Sequence, residues 1–417
     1  MPQNYHIDMP ENVKYIIQTI NSHGQKAFAV GGCIRDSILG RNPDDWDITT
    51  SAVPTQVKSF FKRTIDTGIA HGTVTVMLNK TGYEVTTYRI DGEYEDGRHP
   101  KSVEFSVRLV DDLCRRDFTI NAMAYNDTDG FVDEFNGIND LNNKIIRCVG
   151  DPEKRFTEDA LRMMRAIRFS AQLGFTIDPA TWNAIKKLAP SISKISMERV
   201  HVELGKTLMS MHPDYVSEYS DAGLFAPILP AIDNALNSRY SQKILATLRH
   251  TPDNIYLRYA ALFIASTPEE ATATLRALKM DNKTIDTVSK LLELSKLDID
   301  ETEPAVRAAL NRFGRDFLPL WHELMVASIR ASEEITGISN PARIKHLLTL
   351  KRLATDILER GDCFTIKDLD ISGNDLIEYG LQGHEIGDTL KALLDIVIEN
   401  PKLNDKATLI AMIEHIK

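Results

Sequence analysis

Gly31-Gly32-Cys33-Ile34-Arg35-Asp36 and, after a short gap, Asp45-Trp46-Asp47 decide the fold of the first part of the chain. The apolar run KAFAV (26–30) before the double glycine predicts a strand, and CIRDSILG (33–40) predicts a short helix. DWDITT (45–50) alternates polar and apolar residues, which is typical of a second strand. This order of strand, glycine turn, helix and strand indicates an α/β domain.

Further elements extend this domain in both directions. We predict an amphipathic helix at 10–23, a helix that begins at Pro54, a hairpin, a polar glycine-containing loop and two closing strands. The hairpin is TVTVMLN (73–79) and YEVTTYR (83–89), joined by Lys80 to Gly82; the loop is DGEYEDGRHP (91–100); the closing strands are FVDEF (131–135) and IIRCV (145–149).

Helical periodicity replaces strand signals after about residue 150. EDALRMMRAIRFSAQLGF (158–175) predicts one strong helix that stops near Gly174, and SMERVHVELGKTLMSM (196–211) predicts another. The predicted fold class is therefore an α/β head followed by an all-α remainder.

Composition limits the possible functions. The 417 residues carry a net charge of −10, yet residues 147–206 carry +4 and the remainder −14, so one stretch can form a phosphate-binding face in an acidic protein. The chain has neither a 20-residue apolar run nor a secretory N-terminus, so we predict a cytoplasmic protein without a membrane partner. Its four cysteines are widely spaced, which predicts neither a zinc site nor a disulfide framework.

Asp45 and Asp47 are candidate catalytic residues and metal ligands. Alternate residues of a strand point to the same face, so the two carboxylates are expected to project together and to repel each other unless a cation lies between them. Oxygen ligands of this kind suit Mg²⁺, which commonly binds one or two carboxylates and substrate phosphates. The glycines allow close approach of a bulky ligand, and Arg35 could reach its phosphate.

Two later motifs add candidate nucleotide contacts. In RRDFTINAM (115–123), Arg116 is expected to contact a triphosphate, with Asn121 in a supporting hydrogen bond. In EDALR (158–162), Asp159 and Arg162 lie three residues apart and could form one unit on a helix face. A carboxylate accepts and a guanidinium donates, which matches the hydrogen-bonding edges of cytosine and adenine and mismatches uracil and guanine.

Together these motifs resemble the class II tRNA nucleotidyltransferases, within the superfamily that also contains bacterial poly(A) polymerases. The resemblance covers roughly residues 20–230 and rests on motifs in the family's order and spacing: GGCIRD (31–36), DWD (45–47), HGTVTV (71–76), the loop at 91–100, RRDFTINAMAY (115–125), DPEKRFTEDALRMMRAIRF (151–169) and MERVHVELGK (197–206). A weaker likeness to the tail of the bacterial CCA-adding type continues in residues 370–394, although Gly383-His384 stands where that family usually has Gly-Pro.

The resemblance implies a head with a polymerase-beta-like mixed sheet at 1–147, a base-reading neck at 148–206, a helical body at 207–290 and a tRNA-binding tail at 291–417. It also implies roles for individual residues, with Glu84 as a candidate third carboxylate. Asp45 and Asp47 would hold Mg²⁺; Gly32, Arg35 and Arg116 would bind the sugar and phosphates; Asp159 and Arg162 would read the base, supported by Arg165 and Arg168.

The expected reaction is a two-metal, in-line attack of the tRNA 3′-hydroxyl on the α-phosphate of CTP or ATP. Enzymes that add only CC or only A, and poly(A) polymerases, are the alternatives within the superfamily; a catalytically inactive RNA-binding protein is the alternative outside it. The loop at 91–100 favours full CCA addition or A addition, and both aspartates argue against an inactive protein. The sequence leaves a homodimer open.

Overall fold

The structure is a computed structural model that describes residues 5–92 and 102–416. The chain divides into two compact units, Met1–Pro230 and Ala231–Lys417. The predicted boundaries at residues 147, 206 and 290 divide the chain more finely and stay predictions. The predicted loop at 91–100 lies, beyond Asp91 and Gly92, outside the described residues.

The strands of the described residues all lie in the first unit. They are β1 (Ala27–Val30), β2 (Ile48–Thr50), β3 (Thr64–Gly68), β4 (Thr73–Leu78), β5 (Thr81–Thr87), β6 (Arg89–Asp91), β7 (Val103–Phe105), β8 (Met123–Asn126), β9 (Gly130–Asp133), β10 (Ile145–Ile146) and β11 (Thr176–Ile177).

Seven of these strands form one mixed sheet in the order β3-β4-β5-β2-β1-β8-β9. Strands β2 and β5 run parallel, and the other neighbouring pairs are antiparallel. The sheet packs around buried Phe28, Val30, Tyr88 and Leu113, so apolar burial fixes the strands that carry the glycine turn and the two aspartates. The predicted mixed-sheet head is confirmed.

The helices of the first unit surround this sheet and continue beyond it. They are α1 (Glu11–Ser22), α2 (Gly32–Ile38), α3 (Pro54–Phe60), α4 (Leu109–Cys114), α5 (Gly137–Asn142), α6 (Pro152–Glu158), α7 (Leu161–Leu173), α8 (Pro179–Leu188), α9 (Met197–Leu208) and α10 (Ser217–Asp221).

The second unit is helical throughout its described residues. Its helices are α11 (Pro230–Leu236), α12 (Ser241–His250), α13 (Ile255–Leu262), α14 (Pro268–Ala277), α15 (Asn282–Ser295), α16 (Glu303–Phe313), α17 (Phe317–Thr336), α18 (Pro341–Arg360), α19 (Gly373–Glu378), α20 (His384–Glu399) and α21 (Lys406–Ile416). The first residue of α11, Pro230, is the last residue of the first unit. Helix α20 begins at His384, directly after Gly383 with φ 58°. A proline also suits the first position of a helix, so the departure from Gly-Pro leaves this helix start in place.

Two details of the sheet differ from the sequence prediction. The turn of the predicted hairpin lies at Asn79 and Lys80, which both have positive φ, rather than at Lys80 to Gly82. The prediction that IIRCV closes the head sheet was wrong. Its two strand residues instead pair in parallel with Thr176–Ile177, because the chain has already left the sheet after β9.

The predicted single helix at 158–175 is two helices. Asp159 has extended backbone angles (φ −145°, ψ 105°) and separates α6 from α7. Its carboxylate accepts a hydrogen bond from the Leu161 backbone N–H at 3.0 Å, which satisfies a donor at the start of α7. Aspartate competes in this way with the helical backbone, so it ends a helix that apolar periodicity alone would continue. The predicted stop at Gly174, with φ 68°, is confirmed.

Within residues 5–92 and 102–416, every helix is too short or too polar to span a lipid bilayer.

Candidate nucleotide and metal site

Asp45 and Asp47 lie in the segment that directly precedes β2. Trp46 and Ile48 are buried while both aspartates are exposed, so side chains alternate here as they do in a strand. Only Ile48–Thr50 is assigned as strand, but the Asp47 carbonyl already accepts a hydrogen bond from the Val30 backbone N–H at 3.0 Å. The extended backbone therefore continues through Asp47 and gives the two aspartates a common side.

The electrostatics of Asp45 and Asp47 favour a bound cation. Loss of hydration raises the pKa of Asp47; Arg116 lowers that pKa and the Asp45 carboxylate raises it, and the net shift is upward. Two ionised carboxylates that lie close together repel each other. A cation bound between them removes this repulsion and stabilises the ionised form of both. The donor set of oxygen atoms suits a hard divalent ion such as Mg²⁺.

Glu84 lies beside Asp47 on the neighbouring parallel strand. Ile48 pairs with Val85, so the residues that precede them, Asp47 and Glu84, are neighbours across the sheet. Loss of hydration, then Asp47 and Asp45, raise the pKa of Glu84. Across the described chain, however, no three or more His, Cys, Asp or Glu side chains are close enough to hold one metal ion. The charges of Asp47 and Asp45 therefore reach Glu84, and its role as a third carboxylate stays a prediction.

The double glycine brings two arginines against the backbone between β1 and α2. Gly31 has φ 85°, and a Cβ atom there would lie 2.9 Å from Nη1 of Arg116. A Cβ atom at Gly32 would lie 3.7 Å from Nη2 of Arg35. Glycine is therefore required at Gly31 both for its backbone angles and for the close approach of the guanidinium.

Buried carboxylates orient the arginines of RRDFTIN. Asp112, which is fully buried, accepts hydrogen bonds from Arg115 at 2.9 Å and from Arg116 at 3.3 Å. Burial raises the pKa of Asp112, but the two arginines outweigh burial and leave that pKa below its usual value. Thr49 of β2 donates to the same carboxylate at 3.0 Å. Asp112 thus ties both arginines to the strand that follows the aspartate pair.

Asn121 makes the supporting hydrogen bonds expected of it. Its side-chain oxygen accepts from Nη1 of Arg35 at 2.7 Å, and its amide donates to Asp117 at 3.1 Å. Asp117 also accepts from Arg165 at 2.7 Å. Burial acts to raise the pKa of Asp117, yet Arg165 and Asn121 hold it below its ordinary value. The chain Arg35–Asn121–Asp117–Arg165 links the glycine turn to helix α7.

Asp159 and Arg162 do not form the pair that the sequence predicted. Asp159 accepts two hydrogen bonds from Arg199 of α9, at 2.7 and 3.2 Å. Arg162 donates instead to Glu158 at 2.7 Å and to the carbonyls of Arg155 and Arg115. The reason is the break between α6 and α7, because Asp159 is outside the helix and the regular i, i+3 geometry does not apply to it.

Three arginines surround the ring of Phe169. The guanidinium carbon lies 5.1 Å from the ring centroid for Arg35, 5.3 Å for Arg165 and 4.0 Å for Arg168. Arg168 is only 6% exposed and forms an ion pair of 2.9 Å with buried Glu203. The cation–π contact and the ion pair hold Arg168 beneath the exposed surface.

Three residues that contact the predicted site residues were not predicted from the sequence: Arg199, Glu203 and Glu158. Arg199 and Glu203 are four residues apart on α9. Arg199 pairs with Asp159 in the break before α7, and Glu203 pairs with Arg168 on α7. An arginine and a glutamate four residues apart share one face of a helix, and both lie in the segment MERVHVELGK (197–206) on which the resemblance rests. This spacing could have identified them as a charged pair that faces a neighbouring helix. What the sequence lacked was the identity of their partners.

Two cavities adjoin these residues. One, of about 800 Å³, lies beside Arg115, Arg155 and Glu158, and its described lining includes none of the residues predicted to bind nucleotide or metal. The other, of about 350 Å³, is lined by residues of the head and by Gln172, Leu173 and Met209–Met211, and it includes Arg35.

Three family models match successive parts of the chain. They are the poly(A) polymerase head domain at residues 27–147, the probable RNA- and SrmB-binding site of polymerase A at 174–236 and the tRNA nucleotidyltransferase domain 2 at 253–413.

Relatives and solved structures match over nearly the whole chain. The CCA-adding enzyme of Pediococcus pentosaceus is 35% identical, with 98% of each chain covered, and that of Levilactobacillus brevis is 35% identical, with 99% of this chain and 98% of the relative covered. The structure of the Bacillus stearothermophilus CCA-adding enzyme in complex with CTP is 32% identical, with a TM-score of 0.76 and 98% of each chain covered. The Thermotoga maritima CCA-adding enzyme complexed with tRNA, 19% identical with a TM-score of 0.60 over 97% of this chain and 95% of the other, shares the fold. The chain therefore belongs to the family of CCA-adding enzymes, nucleotidyltransferases whose head domain is that of the poly(A) polymerases.

Proposed function

We propose that this protein adds C, C and A to the 3′ end of tRNA, using CTP and ATP without a nucleic-acid template and releasing pyrophosphate. The observation that carries the proposal is the match along 98% of both chains to a CCA-adding enzyme. The exposed pair Asp45 and Asp47, next to an arginine-rich turn, supports catalysis rather than RNA binding alone.

Mg²⁺ is the proposed cofactor, with Asp45 and Asp47 as its protein ligands. With only two carboxylates offered at this position, the remaining ligands would come from substrate phosphates, as is common for Mg²⁺. The bound metal would lower the pKa of the attacking 3′-hydroxyl and neutralise the leaving pyrophosphate. Arg116 lowers the pKa of Asp47, so it favours the ionised form that binds the cation.

Gly32, Arg35 and Arg116 are proposed to bind the sugar and phosphates of the nucleotide. Arg116 is held at the Gly31 backbone by Asp112, and Arg35 is held by Asn121, so both guanidinium groups are oriented before the nucleotide arrives. Groups that are already oriented stabilise developing negative charge without further reorganisation, which is what phosphoryl transfer requires.

Asp159 and Arg162 are proposed to read the base, with Arg165 and Arg168 in support. A carboxylate offers about four lone-pair positions, so Asp159 can accept from the amino group of cytosine or adenine while Arg199 still holds it. Arg162 has five N–H groups, of which three make the contacts described above. In this proposal the base meets two separately anchored groups instead of one Asp–Arg pair.

A primer-extension assay tests the function. Purified protein is incubated with tRNA that ends before CCA, with CTP alone, ATP alone or both, and with tRNA that ends in CC and ATP alone. We expect two additions with CTP, one more when ATP is present, and one addition of A to the CC-ended tRNA. A ladder of many A residues would indicate a poly(A) polymerase, and products limited to CC or to A would indicate a partial enzyme.

Two variants link the assay to the site. Asp47→Ala should abolish addition while tRNA binding is nearly unchanged, and Arg162→Ala should relax or destroy the selection of C and A. Retained addition by Asp47→Ala would contradict the metal assignment. The homodimer and the cytoplasmic location stay predictions.

A further inference from the structure

A small cavity lies between α17 and α18 in the second unit. Its volume is about 70 Å³, which exceeds what one water molecule needs. The described residues that line it are Arg315, Leu318, Pro319, Trp321, His322, Leu350, Lys351, Ala354, Thr355 and Leu358. Apolar side chains form most of the wall. Its polar groups are four nitrogen-bearing side chains and the hydroxyl of Thr355, which donates to the Lys351 carbonyl.

Two of these nitrogen groups are buried without a partner among the described residues. Trp321 is 3% exposed, and neither its Nε1 nor Nε2 of His322 has a hydrogen-bond partner there. An indole N–H can only donate, and leaving a buried donor unpaired costs about 1–3 kcal/mol. Most buried donors in folded proteins are paired, so a water molecule or a ligand in the cavity would supply the acceptor.

The other two nitrogen groups are exposed cations. Lys351 and Arg315 form no ion pair with any residue of the described chain, and the Arg315 guanidinium lies 5.8 Å from the ring of Phe364. Burial lowers the pKa of His322, and Lys351 lowers it further, so the two side chains are electrostatically coupled. Of the described residues that line the cavity, none carries a carboxylate.

We propose that this cavity binds a phosphate group, with Trp321 and His322 donating from its floor and with Lys351 and Arg315 neutralising the charge at its rim. Water could also accept from the two buried donors, but a neutral water molecule would not attract the two cations at the rim. A phosphate supplies oxygen acceptors and negative charge together. The phosphate could belong to an RNA backbone or be free inorganic phosphate. If the phosphate belongs to RNA, the inference rests on the proposed function. Binding of free inorganic phosphate can be tested whether or not the protein adds nucleotides.

Indole NMR signals test the site directly in the full chain. The protein has three tryptophans, so a ¹⁵N-labelled sample gives three indole N–H signals, and Trp321→Phe identifies one of them. Inorganic phosphate is titrated at constant ionic strength against chloride. We expect a saturable shift of the Trp321 signal and an unchanged Trp182 signal. If the Trp321 signal does not shift saturably with phosphate or with RNA, the proposal is wrong.

Two matched lysine variants on α18 distinguish phosphate binding in the cavity from nonspecific attraction to a basic surface. Lys351→Gln should weaken phosphate binding about tenfold, which corresponds to about 1.4 kcal/mol. Lys345→Gln, an exposed lysine on the same helix that does not line the cavity, should leave binding unchanged. Because Lys351 is exposed, its replacement should not unfold the helix. Equal weakening by both variants would contradict a defined site.

A second titration distinguishes the sources. tRNA without its CCA end is added in phosphate-free buffer, and Lys351→Gln is assayed for KM and kcat with that tRNA. A Trp321 shift with tRNA, together with a raised KM and unchanged kcat, assigns the site to RNA. A shift with inorganic phosphate alone assigns it to the free ion. Both results support the phosphate site, and the primer-extension assay reports separately on the proposed function.

Discussion

The carboxylate of Asp159 is held by the guanidinium of Arg199, forty residues later in the chain, through hydrogen bonds of 2.7 and 3.2 Å. This contact joins the break between α6 and α7 to helix α9. Arg199 therefore acts as a positioning residue for the group proposed to read the base.

Replacing Arg199 should disturb base selection more than folding. We expect Arg199→Ala to lower kcat/KM for CTP and for ATP by roughly ten- to a hundredfold, because small displacements of an aligned group are costly. Arg199→Lys should recover part of this loss, since lysine keeps the charge but not the two-point contact. Steady-state kinetics with each nucleotide provide the measurement. Lys206→Ala, at an exposed position of the same helix, is the control, and an equal loss there would refute the assignment.

Asp47→Asn should stabilise the metal-free protein and inactivate it. The pKa of Asp47 is raised in the folded state, so the folded protein holds this proton more tightly than the unfolded chain does. Ionisation at neutral pH therefore costs stability, and this cost disappears as the pH falls below the ordinary aspartate pKa of about 3.9. We expect a higher Tm for the variant in EDTA at pH 7 and no gain at low pH.

The same variant should lose activity on the order of a thousandfold, since metal catalysis contributes several kcal/mol to the reaction. Asp44→Asn, at an exposed neighbouring position, is the control for both measurements. A lower Tm for Asp47→Asn at pH 7 would show that the carboxylate is not strained by its surroundings.

Gly31→Ala and Gly40→Ala should differ in their effect on nucleotide binding. Both glycines have positive φ, 85° and 71°, so alanine should cost about 1–3 kcal/mol of folding free energy at either position. Only at Gly31 does the added Cβ meet Arg116, whereas nothing lies within 4 Å at Gly40. Titration calorimetry should show weaker CTP binding for Gly31→Ala alone. Equal affinities would mean that the approach of Arg116 is unimportant.

Arg307 should be a main determinant of stability in the second unit. This arginine is 2% exposed and donates to the Ile398 carbonyl at 2.7 Å, near the end of α20, and to Asp362 at 3.0 Å. Arg307→Met leaves the buried Ile398 carbonyl without this donor, while Asp362 keeps its hydrogen bonds from Arg360, and should cost about 1–3 kcal/mol in denaturant unfolding. Arg312→Met removes an exposed ion pair with Glu293 and a cation–π contact with Phe313, and should cost less than about 1 kcal/mol. Similar costs would contradict this distinction.

Much of the fold and the set of candidate residues could be predicted from the sequence. The glycine turn, the strand that follows Asp47 and the stop at Gly174 depend on local backbone preferences, which adjacent residues express directly. The strand TIDTG (64–68) was missed, because its residues are mostly exposed and lack the alternation that predicts a strand. The strand MAYN (123–126) is buried at every position, so it also lacks alternation.

The sequence by itself determined the class of the fold, most of its elements and the residue types that are proposed for phosphate and metal chemistry. Only the tertiary structure decided the distant partners of those residues, which are Arg199 for Asp159 and Glu203 for Arg168; Glu158 and Arg162, by contrast, are four residues apart in the sequence. The physical reason is range, since helix and turn preferences act over a few residues, whereas an ion pair between α7 and α9 forms only after apolar burial has packed the two helices together.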